Sequence, residues 1–364
     1  MPKTAWLILT ALIFWSLPAY GETLPLPEPD RIPSLISVLR MHRSADFCGE
    51  PLPMEIPEVR ENFEKEMMLT LWNRAQTILW LKRTARYFPR IEAILKERNL
   101  PDDLKYIAVA ESALMPEVAS SQGAVGLWQF ISSTAKKYGL TVDRNIDERR
   151  NTDIATRAAL DYLSELRQML GSWTLAAAAY NMGEDGLQGE MLTQGETDYY
   201  RLRLPQETQR YVFRIVAIKL IIADPARYGF DLGSEDLYPP EVCESVEVNC
   251  SRSIPVFLIA RAAGTYFKNI RNLNPQIMGH YLDAGRYRLC VPQARGFEER
   301  FRNLLAEWLA ARENSVYVVK KGDNLSIISE RLNVPLKALL IWNGISSRSP
   351  IHPGDRLIVR PVMP

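Results

Sequence analysis

The chain has 364 residues, 47% hydrophobic and 24% charged, a balance that excludes wholesale disorder and fibrous architectures and allows two or three domains. Its 44 basic and 43 acidic side chains leave a net charge of +1, which argues against nucleic acid as the main partner, because counterion release needs clustered basic charge. The three histidines (His42, His280, His352) lie far apart and no two cysteines have C-x-x-C spacing, so no zinc, haem or other cofactor is expected.

Lys3 precedes an apolar run over 5–15 that closes on Leu17, Pro18 and a small-x-small site at Ala19-Tyr20-Gly21. Residues 1–21 therefore read as a cleavable signal peptide, the run being shorter than the ~20 apolar residues of a spanning helix. No cysteine follows the cleavage site, so a lipid-anchored start is not expected. The expected location is the periplasm or cell envelope, in peripheral contact with the wall. In such an oxidising compartment Cys48, Cys243, Cys250 and Cys290 predict two disulfides, with three connectivities open.

Residues 22–57 hold seven prolines and read as an extended N-terminal segment. Over 58–225 helical patterning dominates and strand signals are almost absent, predicting a mostly α-helical domain. Phe63, Met67, Leu71, Ile78 and Leu81 recur at helical spacing, and a second helix is expected from Arg90 to Arg98. A third starts at Pro101-Asp102-Asp103 and runs through Glu111. Thr152-Asp153 is expected to cap a helix ending near Gly171, 173–180 is alanine-rich, and 211–223 is strongly apolar.

Beyond 225 a shift of 69 positions superimposes Ile259 on Ile328, Ile270 on Leu339, Asn274 on Asn343, Gly285 on Gly354, Leu289 on Ile358 and Pro292 on Pro361. Each copy reads strand, helix, helix, strand, giving modules at 240–295 and 316–360 joined by a helical linker at 296–315. The repeat puts Cys250 in a first strand and Cys290 in a last one. Antiparallel pairing of those strands favours Cys250–Cys290 with Cys48–Cys243, and a local Cys243–Cys250 loop is the rival.

Glu111 ends a helix whose preceding residues are Ile107, Ala108, Val109 and Ala110. Desolvation there disfavours the charged form and raises the pKa, as a general acid near neutral pH requires. The same glutamate could equally be an exposed helix-end residue. A second segment, 119–130, combines Gly123 and Gly126 with Ser120 and Gln129, which suit close backbone approach and polar contact to a hydroxyl-rich ligand. A third, Ala179-Tyr180-Asn181-Met182-Gly183, is completed by 204–212 with Tyr211. Glu117, Asp143 and Asp147 read as solvated loop or cap residues.

In this order the segments resemble the family 1 lytic transglycosylases (glycoside hydrolase family 23 type), in particular the membrane-bound D branch, over roughly 58–224. The resemblance implies a lysozyme-like fold that cleaves peptidoglycan glycan strands between N-acetylmuramic acid and N-acetylglucosamine, in a monomer. By motif match Glu111 is the single acid/base, Ser120 contacts the reacting sugar, Gln129, Tyr180 and Asn181 line the cleft, and Tyr211 orients Glu111. Met115-Pro116 stands where the family commonly has Asn-Pro. The implied product is a 1,6-anhydro sugar, formed without water.

The last module resembles a LysM domain, with Tyr317-Val318-Val319-Lys320-Lys321-Gly322-Asp323-Asn324-Leu325 opening it and Ile351-His352-Pro353-Gly354-Asp355 before its last strand. This implies binding of N-acetylglucosamine-containing chains through Gly322, Asp323, Asn324, Leu325 and Ile351, with Asn324 where threonine is more usual. The earlier copy has Ser253-Ile254 in place of Gly322-Asp323 and reads as a degenerate module with structural duty. Two rival functions are a goose-type hydrolytic lysozyme, which needs a second cleft carboxylate, and a catalytically silent wall-binding scaffold.

Overall fold

Apolar spacing alone cannot say where one helix stops, and here Asn73 decides it. In the computed structural model, which describes residues 33–41, 44–313 and 315–359, α2 (Pro57–Trp72) and α3 (Arg74–Glu97) meet at Asn73, whose side chain accepts from the Gln76 N–H. The break therefore falls between Leu71 and Ile78, and no new helix begins at Arg90. Pro89 sits inside α3, where burial of Phe88, Ile91, Ile94 and Leu95 outweighs the one backbone bond that proline removes. The signal-peptide segment lies outside the described residues.

The proline-rich segment is folded where it is described, contrary to the extended reading. It forms α1 (Leu35–Met41) and a hairpin of β1 (Asp46–Phe47) and β2 (Glu50–Pro51). Phe47, Leu52 and Met54 enter the helical core. Lys219 pins the hairpin by bridging Asp46 and Asp103 at 2.9 and 2.7 Å. Glu50 accepts from the N–H groups of Trp173 and Thr174 at 2.7 and 3.0 Å, adding a carboxylate where the helix dipole favours one.

Helices α4 (Lys105–Ser112), α5 (Ser132–Lys137), α6 (Thr152–Leu170), α7 (Trp173–Met182), α8 (Glu184–Gln194) and α9 (Gln206–Ala223) complete this unit. Ala176 to Ala179 are fully buried, and their small side chains let α7 pack between α6 and α9. Helix α9 also packs on α2 and α4, so it spans the core beneath Glu111. No helix among the described residues is long and apolar enough to cross a membrane.

Next, β3 (Glu244–Cys250) and β6 (Gly285–Val291) pair antiparallel, β4 (Ile254–Pro255) pairs with β5 (Tyr281–Leu282), and α10 (Val256–Ala262) and α11 (Phe267–Leu273) lie between them in sequence. Helix α12 (Phe297–Glu313), expected as a linker, packs on α10 and buries Phe297, Phe301 and Trp308 in this module's core. The last module has β7 (Val316–Val318), α13 (Leu325–Arg331), α14 (Leu336–Asn343) and β8 (Arg356–Ile358), around Val319, Ile328, Leu339 and Leu357.

Both modules use the same asparagine clamp. Asn274 Nδ2 donates to the carbonyls of Ile270 and Cys290 while its Oδ1 accepts from Cys290 N–H; Asn343 does the same with Leu339 and Ile358. The clamp spans 16 residues in the first copy and 15 in the second, so the closing strands align at a shift of 68. Buried Leu289 and Val291 thus match buried Leu357 and Val359, and the gap-free match of Leu289 with Ile358 is corrected, while Pro361 lies outside the described residues.

The favoured disulfides are also corrected: Cys243 is bonded to Cys290, with Cα atoms 5.5 Å apart, and Cys48 and Cys250 are free. Register is the reason. Cys290 stands opposite Ser245, whereas Cys250 stands opposite Gly285 at the far end of the ladder. Five residues of strand separate them by ~17 Å, beyond any disulfide's reach. Cys48 lies in the helical unit, its N–H bonded to Asp103.

Candidate active site

Glu111 stands one residue before the end of α4, and the turn that follows is unusual. Ala113 and Leu114 both take left-handed backbone angles (φ 54° and 57°) although neither is glycine. Leu114 is nevertheless buried, and Arg83 donates to the Ala113 carbonyl at 3.0 Å. Ser112 Oγ donates in the buried turn, 3.0 Å from Ala108 O and 2.9 Å from Leu127 O. Helix α4 is thereby tied to the glycine-containing loop that faces it.

Glu111 itself is half-buried. Burial pushes its carboxyl up from 4.5 to about 7, against the Tyr211 hydrogen bond and the Arg214 charge, while the Glu207 charge adds to the rise. The Tyr211 hydroxyl donates to Glu111 Oε1. With Oε1 occupied by that donor, the acidic proton of the neutral form belongs on Oε2. Tyr211 is fully buried on α9, and burial, reinforced by the Glu111 charge, pushes its own pKa well up, so it stays a donor.

Tyr180, on α7, lies within the field of Glu111, which adds to the upward pull of burial on its hydroxyl. That hydroxyl donates to Trp128 O at 2.6 Å. Neighbouring Asn181 accepts from Thr208 Oγ1 at 2.8 Å, joining α7 to α9 three residues before Tyr211. Gln129 takes a left-handed conformation (φ 48°), and its Nε2 donates to Gly126 O at 2.9 Å. Ser120 is exposed, and its Oγ accepts from Ala124 N–H at 3.1 Å, bracing the loop. Tyr211 and Tyr180 thus lie close to Glu111 at the end of α4, while Gln129 and Ser120 brace the 119–130 loop that Ser112 ties to α4 and Asn181 joins α7 to α9.

Two buried charges set the loop, and sequence reasoning passed over them. Asp147, read as a solvated loop or cap residue, is buried and pairs with Arg149 at 2.8 Å. The Arg149 guanidinium donates to the carbonyls of Gly123 and Phe130, both at 3.0 Å, closing the loop from its two ends. Gly126 passes so near the 3-10 turn over Glu148–Arg150 that a Cβ there would lie 1.9 Å from Arg149 O. In the sequence Arg149 sits in a run of charges, Glu148-Arg149-Arg150, and nothing local marks one of them as buried. Asp143 caps its own turn, and Glu117 is exposed.

The first module reaches this loop through backbone: Asp147 N–H donates to Gln276 O and Met278 N–H to Asn145 O, both at 2.8 Å, around an antiparallel bridge of Ile146 with Ile277.

Comparison with known proteins matches the Transglycosylase SLT domain to residues 88–202 and the LysM domain to residues 317–360. The chain is 32% identical to the membrane-bound lytic murein transglycosylase D of Escherichia coli K12 over 333 residues, covering 86% of this chain and 72% of that protein. The chain belongs to the membrane-bound lytic murein transglycosylase D family. A stretch of 93 residues is 39% identical to the peptidoglycan transglycosylase gp16 of Escherichia phage T7, covering 25% of this chain and 7% of that one. Among solved structures, the soluble lytic transglycosylase SLT70 of Escherichia coli is similar at 19% identity, with a TM-score of 0.34 over 44% of this chain and 30% of that chain.

In this transglycosylase D family chain the LysM loop divides its candidate residues between two tasks. Gly322 (φ 88°) and Asn324 are exposed, and Asn324 caps α13 by accepting from Ile327 N–H at 2.8 Å, the work a threonine would do. Asp323 points inward. It accepts from Tyr317 Oη at 2.7 Å and Lys320 N–H at 2.8 Å, and pairs with Arg331 at 2.9 Å. Leu325 is in the core and Ile351 packs against it half-buried. Gly322, Asn324 and Ile351 are therefore the positions open to a ligand, while Asp323 and Leu325 shape the loop.

Proposed function

We propose that the protein is an exported peptidoglycan lytic transglycosylase that cleaves the β-1,4 bond between N-acetylmuramic acid and N-acetylglucosamine. Glu111 is the single acid/base and the LysM domain holds the glycan. Glu111 Oε2 gives its proton to the glycosidic oxygen as the bond to muramic C1 breaks, with the acetamido carbonyl assisting at C1. The muramic 6-hydroxyl then attacks C1 and passes its proton to Glu111, which leaves a 1,6-anhydro end and the acid restored. The intramolecular hydroxyl outcompetes water because it is held at high effective concentration. Ser120, Gln129, Tyr180 and Asn181 flank the sugar in this reading.

The observation that carries the proposal is the half-buried carboxyl held at about 7 with Tyr211 on one oxygen. Such a group keeps its proton near neutral pH and becomes a base once it has given it up. Glu207, exposed in the first turn of α9, is the other carboxylate whose charge reaches Glu111, and a hydrolytic lysozyme would use such a group to activate water. Mass spectrometry of muropeptides released by the purified protein separates the readings. Products lighter by one water, absent with Glu111→Gln and retained with Glu207→Gln, are expected. Reducing-end products would favour hydrolysis, and no release by the unaltered protein would favour a wall-binding scaffold.

A further inference from the structure

Between the helical unit and the first module lies a cavity of about 890 Å³, within the size of small-molecule sites. Its walls come from α3, the turn after Glu111, the start of α6, the segment 238–245 and β6. Arg83, Arg86 and Arg288 face it, and among the described residues none of the three has a carboxylate oxygen within 4 Å. Each donates to a neutral acceptor: Ala113 O, Pro239 O and Ser245 Oγ. Their partners differ from those of Arg90 and Arg157, which also line the cavity but are paired with Asp153 and Glu97. The cavity wall carries the arginines Arg83, Arg86, Arg90, Arg157 and Arg288 against the carboxylates of Glu117, Asp153 and Glu241, the last within the field of Arg86 and Arg90, and this positive surplus fits a ligand that carries several carboxylates, each able to take two parallel N–H donors. Glu117 and Glu241 on the same wall leave a place for an amine.

The cavity also adjoins the reacting end of the molecule. Met115 lines it and is four residues beyond Glu111, so their Cα atoms are at most ~14 Å apart even on an extended backbone. The Cys243–Cys290 disulfide clamps the segment carrying Glu241 and Ser245 to the strand carrying Arg288. We propose that this cavity binds the carboxylate-bearing stem peptide of peptidoglycan, carried by the muramic acid whose C1 reacts. The proposal rests on the transglycosylase reading for the identity of the glycan, and it assigns the first module a second duty as one wall of a substrate site.

The test compares the full-length protein with Arg86→Gln/Arg288→Gln and Arg86→Lys/Arg288→Lys, on peptide-bearing glycan and on glycan stripped of peptides. The ratio of kcat/KM for the peptide-bearing over the stripped substrate is expected to fall about five- to tenfold in the Gln pair and to recover in part in the Lys pair. Calorimetry with free stem tetrapeptide should show binding that the Gln pair loses. Cleavage with an unmoved ratio overturns the stem site and leaves the transglycosylase reading standing. Peptide binding without cleavage of either glycan overturns the transglycosylase reading and supports the site. Inorganic phosphate binding as tightly as the tetrapeptide overturns it in favour of a general anion site. A circular-dichroism melt of each variant checks that the fold is retained.

Discussion

The hydroxyl of Tyr211 donates to the carboxylate of Glu111 across 100 residues of chain, and the two side chains arrive from helices that pack directly on each other. The tyrosine favours the charged carboxylate, while the apolar end of α4 favours the neutral one. Burial is the larger effect, and the group titrates near neutrality.

That balance makes the proton on Glu111 visible in stability. A folded-state pKa raised above the unfolded value gives a contribution that is fully present below about 4.5 and is lost as pH rises through about 7. Glu111→Gln keeps the shape and cannot ionise, so it should match the unaltered protein in urea at pH 4.5 and exceed it at pH 8. The difference should be on the order of 2 kcal/mol. Equal stability of the two proteins at pH 8 would contradict a raised pKa.

Tyr211→Phe removes the donor that favours ionisation. The alkaline limb of the pH–rate profile should therefore move to higher pH, while kcat falls roughly tenfold because the proton is no longer directed to Oε2. A fall in kcat with no movement of that limb would mean that Tyr211 only packs.

Gly126→Ala tests the loop. Its φ of +89° is costly for any residue with a Cβ, and the added carbon would meet Arg149 O at 1.9 Å. Displacing that 3-10 turn disturbs the carbonyls held by Arg149, so the loss should exceed ~2 kcal/mol and activity should fall with it. Gly123→Ala meets no atom within 4 Å and should cost only its own positive φ, making it the milder variant in the same denaturation series.

Peptide mapping without reductant should recover Cys243 joined to Cys290, with Cys48 and Cys250 alkylated after unfolding. Replacing both bonded cysteines by serine opens a link across 47 residues and should cost about 2–4 kcal/mol, read as a lower melting temperature. A Cys250–Cys290 peptide would contradict the strand register.

Local patterning carries local facts, and those were legible. The apolar run before Glu111, the stop of α6 at Gly171, and the strand–helix–helix–strand order of both modules all depend on neighbours within a few turns, whereas the cap of α6 is Asn151, one residue before the Thr152-Asp153 that the sequence suggested. Periodicity reports that a side chain is buried, and it does not name what it is buried against.

For that reason the amino-acid sequence by itself determined the helical class, the repeat and the carboxylate in apolar surroundings. Only the tertiary structure decided that Asp147 and Arg149 are buried partners and that Cys290 faces Ser245 and not Cys250. It alone decided, too, that the first module forms a wall beside the turn after Glu111. Each of these is a contact between segments far apart in the chain, set by packing and strand register, and no window of neighbouring residues contains it.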